Sequence, residues 1–242
     1  LAQCYIAARL SAAALSQTEG IRMNQPCTQP CPLCSDQGPH QQLQGADKRR
    51  YFSCSQCSLA FADPQQWLSA DDEKAYYATH ENSIEDAGYV QFLQHLLTPL
   101  LPLLTPGMQA LDYGCGPGPT LSKLLAAAGI ACDDYDPFFF PAQLGSQYDV
   151  ITATECFEHF HNPHAELSRL SGLLREGGYL GLMTSRWTDA EYFSRWHYTR
   201  DPTHVVFMQE KTPDWIARHY DLEIVWRDSP RVVIFRKVAK AC

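Results

Sequence analysis

Leu93, Leu96, Leu97, Leu100 and Leu104 recur at three- and four-residue steps and predict one amphipathic helix within residues 63–105. Pro99 should kink or end it, because proline cannot donate its backbone hydrogen bond. Downstream the rhythm changes. Met108 to Tyr113 is a continuous strand-like run, followed at once by Gly114-Cys115-Gly116-Pro117-Gly118. Leu121, Leu124, Leu125 and Ala128 then mark the buried face of a helix that Gly129 stops. Ile130 to Asp136 reads as the next strand. Thr212-Pro213-Asp214 opens a later helix with a capping threonine and a proline in the first turn. Leu222 to Trp226 and Arg231 to Val238 read as two final strands around Asp228-Ser229-Pro230.

Strand, glycine loop and helix open a nucleotide-binding βαβ unit, in which glycines let the backbone turn sharply and approach a ligand closely. Asp136 lies 18 residues beyond Gly118, where a carboxylate at a strand tip can accept both ribose hydroxyls of an adenosine. Asp133 and Asp134 compete for that role, but Pro137 ends the strand just after Asp136. The glycines are spaced Gly-x-Gly-x-Gly, whereas a dinucleotide loop reads Gly-x-Gly-x-x-Gly and meets a pyrophosphate. Asp112, just before the loop, would repel a pyrophosphate. It suits a ligand carrying an ammonium, such as the methionine end of S-adenosylmethionine (SAM).

Two cysteine pairs precede this unit, Cys31-Pro-Leu-Cys34 and Cys54-Ser-Gln-Cys57, with 19 residues between them. A two-residue gap lets a tight turn aim both thiolates at one point, and two such knuckles supply four sulfurs for a tetrahedral zinc. Four sulfur ligands leave no open position, so the expected role is structural. Cys27 is a possible fifth thiol with a less suitable spacing. Gly38-Pro39 and Gly45 as turn signals and the strand-like Arg50-Tyr51-Phe52 suggest a short hairpin between the knuckles. About forty residues bury little surface alone, so the metal should close this fold.

The chain has 242 residues, 45% of them hydrophobic, enough for one large unit and a small one. The expected division is an extension at 1–22, a zinc module at 23–62, a helical connector at 63–105 and the main domain at 106–242. The extension reads either as a transit peptide or as an upstream stretch before a start at Met23; the second fits better, because no apolar core with a basic leader is present. Ten cysteines, four paired and the rest scattered, fit a reduced cytosolic protein rather than a disulfide scaffold. The net charge of -8 argues against a nucleic-acid partner. Lys48-Arg49-Arg50 is the one run of three bases and reads as a solvated turn. No apolar stretch is long enough to span a bilayer.

Leu111-Asp112-Tyr113-Gly114-Cys115-Gly116-Pro117-Gly118 resembles the first motif of class I SAM-dependent methyltransferases. The run from Tyr148 to His159, with Glu155 and Glu158, is similar to their fourth strand and its following loop. Leu173 to Leu180 is similar to the turn into their fifth strand. With its cysteine knuckles the whole chain resembles bacterial zinc-containing methyltransferases. The resemblance implies an α/β fold with a Rossmann-like, mostly parallel sheet that ends in an antiparallel hairpin, plus a small zinc-ribbon-like module. It implies cofactor contacts from Asp112, Gly114, Cys115, Gly116, Gly118, Tyr135, Asp136 and Glu155. One departure stands out. Only 11 residues separate Asp136 from Tyr148, too few for a helix and a third strand, so that strand should be missing or vestigial. Phe138, Phe139 and Phe140 then either stack on the adenine or cover the exposed sheet edge.

Methyl transfer from a sulfonium is an in-line displacement whose donor carries its own activation, so the protein chiefly positions the acceptor. A hydroxyl or ammonium acceptor also needs a base. Glu155, Glu158 and His159, and His204 within Asp201-Pro202-Thr203-His204, are the candidates at the strand ends. His161 and His164 read as solvated residues at a helix start. Tyr76 and Tyr77 either cap the pocket or pack a linker helix, and Trp187, Tyr192, Trp196 and Tyr198 form either a lid or core. The expected acceptor is a small molecule; an RNA acceptor gripped by the zinc module and a non-catalytic SAM-binding module are the alternatives.

Overall fold

The computed structural model describes residues 29–79, 83–145, 147–228 and 230–239. The expectations for 1–22, for Cys27 and for the segment around His80 to Asn82 lie outside these residues.

Six strands form the main sheet: β4 (Gln109–Tyr113), β5 (Ala131–Tyr135), β6 (Tyr148–Thr154), β7 (Leu174–Met183), β9 (Leu222–Arg227) and β10 (Val232–Lys237). Their order is β5-β4-β6-β7-β10-β9. The first four are parallel, and β10 runs antiparallel to both its neighbours. Successive side chains of a strand face opposite sides, and both sides are covered here. Ala110, Val150, Met183, Val232 and Ile234 point to one core. Leu111, Ile151, Leu182, Val233 and Phe235 point to the other.

The first core is covered by α2 (Ala87–Leu100) and α3 (Leu121–Ala127). Leu93, Leu96, Leu97 and Leu100 are the buried face of α2, as the leucine periodicity predicts. Asp86 caps that helix through the amides of Gly88 and Tyr89. Pro99 sits in its last turn, and a tight turn over Leu101–Leu103 follows. The second core is covered by α4 (Pro163–Leu173) and α6 (Thr212–His219). Among the described residues no strand lies between β5 and β6, so β5 is the sheet edge. In place of the missing unit is a turn in which Asp136 and Phe140 bridge backbone to backbone.

A second sheet has the order β1-β2-β3-β8: β1 (Gln41–Gln44), β2 (Arg50–Ser53), β3 (Ala60–Ala62) and β8 (Val206–Phe207). β1 and β2 are the hairpin expected between the knuckles. β8, however, belongs to the main domain's stretch of sequence. Cys31, Leu33, Cys54 and Cys57 share a core with Leu111, Ile151 and Phe235. The cysteine knuckles therefore pack into the core on one face of the main sheet. Tyr51 and Phe207 form a further cluster with Trp187, Phe193 and Trp196 beside α5 (Ala190–Arg195). Trp187 and Trp196 are thus core residues rather than a lid. α1 (Ala70–Tyr77) follows the β1–β3 segment in sequence, and its Tyr77 packs on Phe138 and His159.

Candidate active site

The glycine loop folds over the tip of β5. The amides of Gly114 and Cys115 both donate to the Tyr135 carbonyl, at 2.8 and 3.1 Å. Gly114 has φ 78° and Gly116 φ 66°, the left-handed region that costs an L-residue about 1–2 kcal/mol. Space is short as well: a Cβ at Gly114 would lie 2.2 Å from the Cys156 sulfur. Gly114 thus brings the end of β4 against the end of β6.

Three acids of β5 and its end are sorted by the structure. Asp133 is taken by the Tyr148 hydroxyl at 2.8 Å. Asp134 has one buried oxygen with no hydrogen-bond partner among the described residues. Asp136 is 8% exposed and is the acid held against the glycine loop. Its Oδ2 accepts from the Gly116 amide at 3.2 Å, and its Oδ1 accepts from the amides of Phe138 and Phe139 at 2.8 and 3.1 Å. One carboxylate thus fixes both the loop and the turn that replaces the missing strand. Asp112 is 2% exposed and accepts from Thr152 Oγ1 at 2.9 Å. Burial pushes its carboxyl up to about 7, the Thr152 bond working against the shift and nearby Asp134 adding to it. Gly118 lies at the end of the loop, where its carbonyl accepts the Thr120 hydroxyl. Cys115 is buried within the loop.

Tyr135 turns its side chain toward Tyr113 and Arg169. Its ring stacks on Tyr113 at 4.9 Å, beneath the Arg169 guanidinium, on the face away from Asp112. Only its backbone carbonyl reaches the loop.

A second group of side chains gathers beyond the end of β6. Glu155 stands at φ 46°, pairs with Arg231 at 3.1 Å and accepts from the Tyr198 hydroxyl at 3.2 Å. Glu158 is fully buried, and its Oε1 accepts from the same hydroxyl. Burial raises both carboxyls, and repulsion from Glu158 adds to the shift of Glu155. Burial raises the Tyr198 phenol too, which keeps it a donor. His159 and His204 lie edge to face with centroids 4.8 Å apart. Burial lowers His204 to about 3, with the neighbouring His159 adding to the effect, so its imidazole is neutral. Ligand atoms of Glu158, His159 and His204 all lie within 4.8 Å of one another. These three of the residues expected for acceptor chemistry, drawn from two distant segments, are therefore neighbours.

This group is tied to the glycine loop. Cys156 touches Gly114, and the Tyr77 ring lies 5.1 Å from His159 and 5.9 Å from Phe138. Tyr77 donates to Glu73 at 2.6 Å, and Tyr76 donates to Asp201 at 3.3 Å. α1 thus lies across the cluster. Phe138 packs toward α1, next to the turn that Asp136 closes. His161 and His164 are exposed around the start of α4, as expected.

Arg49 corrects the reading of the basic run. Lys48 and Arg50 are exposed, but the Arg49 side chain is only 12% exposed. Its guanidinium donates to the carbonyls of Thr199, Asp201, Pro202 and His204. A guanidinium has five donors in a rigid fork, enough to hold a whole loop. The loop it holds carries His204. Sequence reasoning also missed the hydroxyl of Tyr198 and the Arg231 partner of Glu155. Neither has a local signal, because each is defined by a residue 40 or more positions away.

The four cysteines of the knuckles converge. Cys31 and Cys57 sulfurs are 3.5 Å apart, Cys34 and Cys54 sulfurs 3.4 Å apart, and all four lie within 4.8 Å of one another. Both knuckles share one backbone device: Ser35 and Ser58, at φ 61° and 60°, donate back to the carbonyls of Cys31 and Cys54.

A family model described as a methyltransferase domain matches residues 85–226. No curated protein matches the chain. Among solved structures, a chain of the complex between the Haloferax volcanii Trm112 methyltransferase activator and a methyltransferase aligns at 12% identity and TM-score 0.50, over 71% of this chain and 100% of that one. A SAM-dependent methyltransferase from Archaeoglobus fulgidus aligns at 15% identity and TM-score 0.46, over 62% and 99%. The magnesium protoporphyrin IX methyltransferase of Synechocystis PCC 6803, solved with bound S-adenosylhomocysteine, aligns at 15% and 0.44, over 69% and 94%. At these identities the likeness concerns the fold. The family match covers more than half of the sequence and includes the glycine loop and the Glu158 segment, and the chain accordingly belongs to the methyltransferase-domain family as a class I SAM-dependent methyltransferase.

Proposed function

We propose that the protein transfers the methyl group of SAM to a small-molecule acceptor bound beside Glu158, His159 and His204. One observation carries this reading: Asp112 and Asp136 flank a loop whose Gly114 touches the segment that leads into that cluster. In this reading Asp112 pairs with the ammonium of SAM, and the amides of residues 114–118 line its methionine part. Asp136 offers Oδ2 to the ribose, and Phe138 packs toward the adenine. Glu155, held by Arg231 and Tyr198, borders the methyl group. The protein's part in the step is to align the acceptor with the methyl carbon and to promote loss of its proton.

We also propose that Cys31, Cys34, Cys54 and Cys57 hold one structural zinc within a module spanning 23–62, with 63–105 as connector and 106–242 as the catalytic domain. Tetrahedral Zn–S bonds of about 2.3 Å place sulfurs about 3.8 Å apart, close to the spacing of these thiols. The zinc holds the two knuckles together, and through them the sheet that presents Arg49 to the His204 loop.

Calorimetry with SAM and S-adenosylhomocysteine tests the first reading. Binding with a dissociation constant on the order of micromolar is expected, and Asp136→Ala should weaken it markedly. A folded protein that gives no heat with either compound refutes it. Transfer of labelled methyl groups to a metabolite extract, lost in His204→Ala, would identify the acceptor fraction.

A further inference from the structure

We propose that Glu158, His159 and His204 form a site for one divalent cation, and that this cation takes an oxygen of the acceptor. This rests on the methyltransferase reading above and narrows its acceptor class to hydroxyl-bearing compounds.

Three observations carry it. First, the ligand atoms of all three residues lie within 4.8 Å of one another. Coordination bonds of about 2.1 Å place adjacent ligands about 3 Å apart, so each has to move inward by about 1 Å. Second, Glu158 is fully buried, and its Oε2 has no hydrogen-bond partner among the described residues. A buried carboxylate oxygen without a partner is costly, and a cation would satisfy it. The other oxygen, Oε1, is fixed by the Tyr198 hydroxyl, as an outer-shell donor fixes a metal-binding carboxylate.

Third, the histidines are oriented as ligands. His159 Nδ1 lies 3.1 Å from the Thr203 carbonyl, and His204 Nδ1 lies 2.8 Å from the Tyr198 carbonyl. A carbonyl only accepts, so each Nδ1 carries a hydrogen; in the neutral His204 ring that leaves the lone pair on Nε2, 3.8 Å from the Asp201 carboxylate. Tying one ring nitrogen to the backbone in this way orients imidazoles for metals. Arg49 and the Asp201 carboxylate brace the loop that carries both carbonyls. Asp201 accepts from the Thr203 amide and hydroxyl.

Two imidazoles and one carboxylate leave coordination positions open, and this donor set suits a first-row transition-metal ion such as Mn²⁺ or Zn²⁺ better than Mg²⁺. An acceptor hydroxyl on such an ion is more acidic. Its proton is released to solvent, and the oxygen lone pair forms the new bond to the methyl carbon of SAM. The sulfur keeps the electrons of the broken S–CH₃ bond, leaving neutral S-adenosylhomocysteine.

The test is Mn²⁺ titration of the protein carrying one zinc per chain by metal analysis, the number that the four cysteines hold, followed by electron paramagnetic resonance of the free ion. Thiolates disfavour Mn²⁺, so the four-cysteine site does not interfere. One Mn²⁺ per chain is expected, with affinity reduced at least tenfold in Glu158→Gln and in His159→Ala. SAM binding, measured in parallel by calorimetry, should be retained in His159→Ala. His159 is partly exposed, so this variant keeps the test decisive if Glu158→Gln does not fold. No bound Mn²⁺ at millimolar concentration, with SAM binding intact, overturns the cation site alone. Mn²⁺ binding unchanged in His159→Ala overturns it too. Absence of SAM binding in the wild-type protein overturns the reading beneath it.

Discussion

The cofactor side and the acceptor side of this site are built in opposite ways. The cofactor side is local: Asp112, Gly114, Gly116 and Asp136 come from two adjacent parallel strands and their ends, and the Gly114 and Gly116 amides bond to the end of β5. The acceptor side is assembled from afar. Glu158 and His159 follow β6, His204 sits on a loop after β7, Arg231 precedes β10, Tyr77 ends α1, and Arg49 reaches in from the small sheet. A locally built subsite depends on its own backbone. A subsite built from distant segments depends on whatever holds those segments together. Here that role falls to the cysteine-bearing segment, through Arg49 and through β8, which pairs with β3.

Removal of the proposed zinc should have the largest effect on the acceptor side. Cys54→Ser is expected to lower the melting temperature by roughly 10 °C or more and to abolish methyl transfer, because the sulfur cluster shares its core with Leu111 and Ile151. Scanning calorimetry of the variant, with metal analysis of the wild type, checks this. A variant as stable as the wild type would show that the thiols need no metal. Next in size is Gly114→Ala. The added methyl meets Cys156 in a left-handed backbone, and about 2–5 kcal/mol of stability should be lost with most of the SAM affinity. Urea unfolding and calorimetry measure both. Glycine-like behaviour at this position would mean that the loop has room to relax.

The same contrast explains what the sequence could reveal. The glycine loop, Asp136, the leucine face of α2 and the cysteine knuckles each occupy a short window, so spacing alone located them. The absence of a third strand followed from counting 11 residues. Glu158, His159 and His204 were legible as residue types after strand ends, but nothing in the chain states that they meet. Arg49 was misread because a basic run is usually solvated, and only the three-dimensional position of the 199–204 carbonyls says otherwise. The side that Tyr135 faces was not legible, because a strand's last side chain faces one side or the other; a motif that fixes the backbone does not fix that choice for its neighbour.

Arg49 gives the sharpest test of dependence at a distance. Arg49→Lys keeps the charge but loses the fork, and three donors cannot reach four carbonyls and Asp47. The expected outcome is a fall of about tenfold in kcat with SAM affinity unchanged. Equal loss of SAM affinity would mean that the two subsites are not separable.

The smallest effect concerns Asp112, and its sign follows from the direction of its shift. Burial pushes the free carboxyl up to about 7, so below that pH it is mostly neutral and attracts an ammonium weakly. SAM bound beside it would favour the charged form and draw its pKa down. Binding then releases a proton at acidic pH, and affinity rises with pH up to about 7, by at most tenfold per unit. Above about 8 the ligand's own amino group loses its proton, and affinity should fall again. In Asp112→Asn the rising limb should vanish and affinity should be lower across the range, while the falling limb is weakened. Calorimetry of SAM from pH 5.5 to 9 in buffers of different ionisation enthalpy resolves both the affinity and the proton count. A flat profile with no proton release in the wild type would show that the ammonium lies elsewhere, and would leave Asp112 only its bond to Thr152.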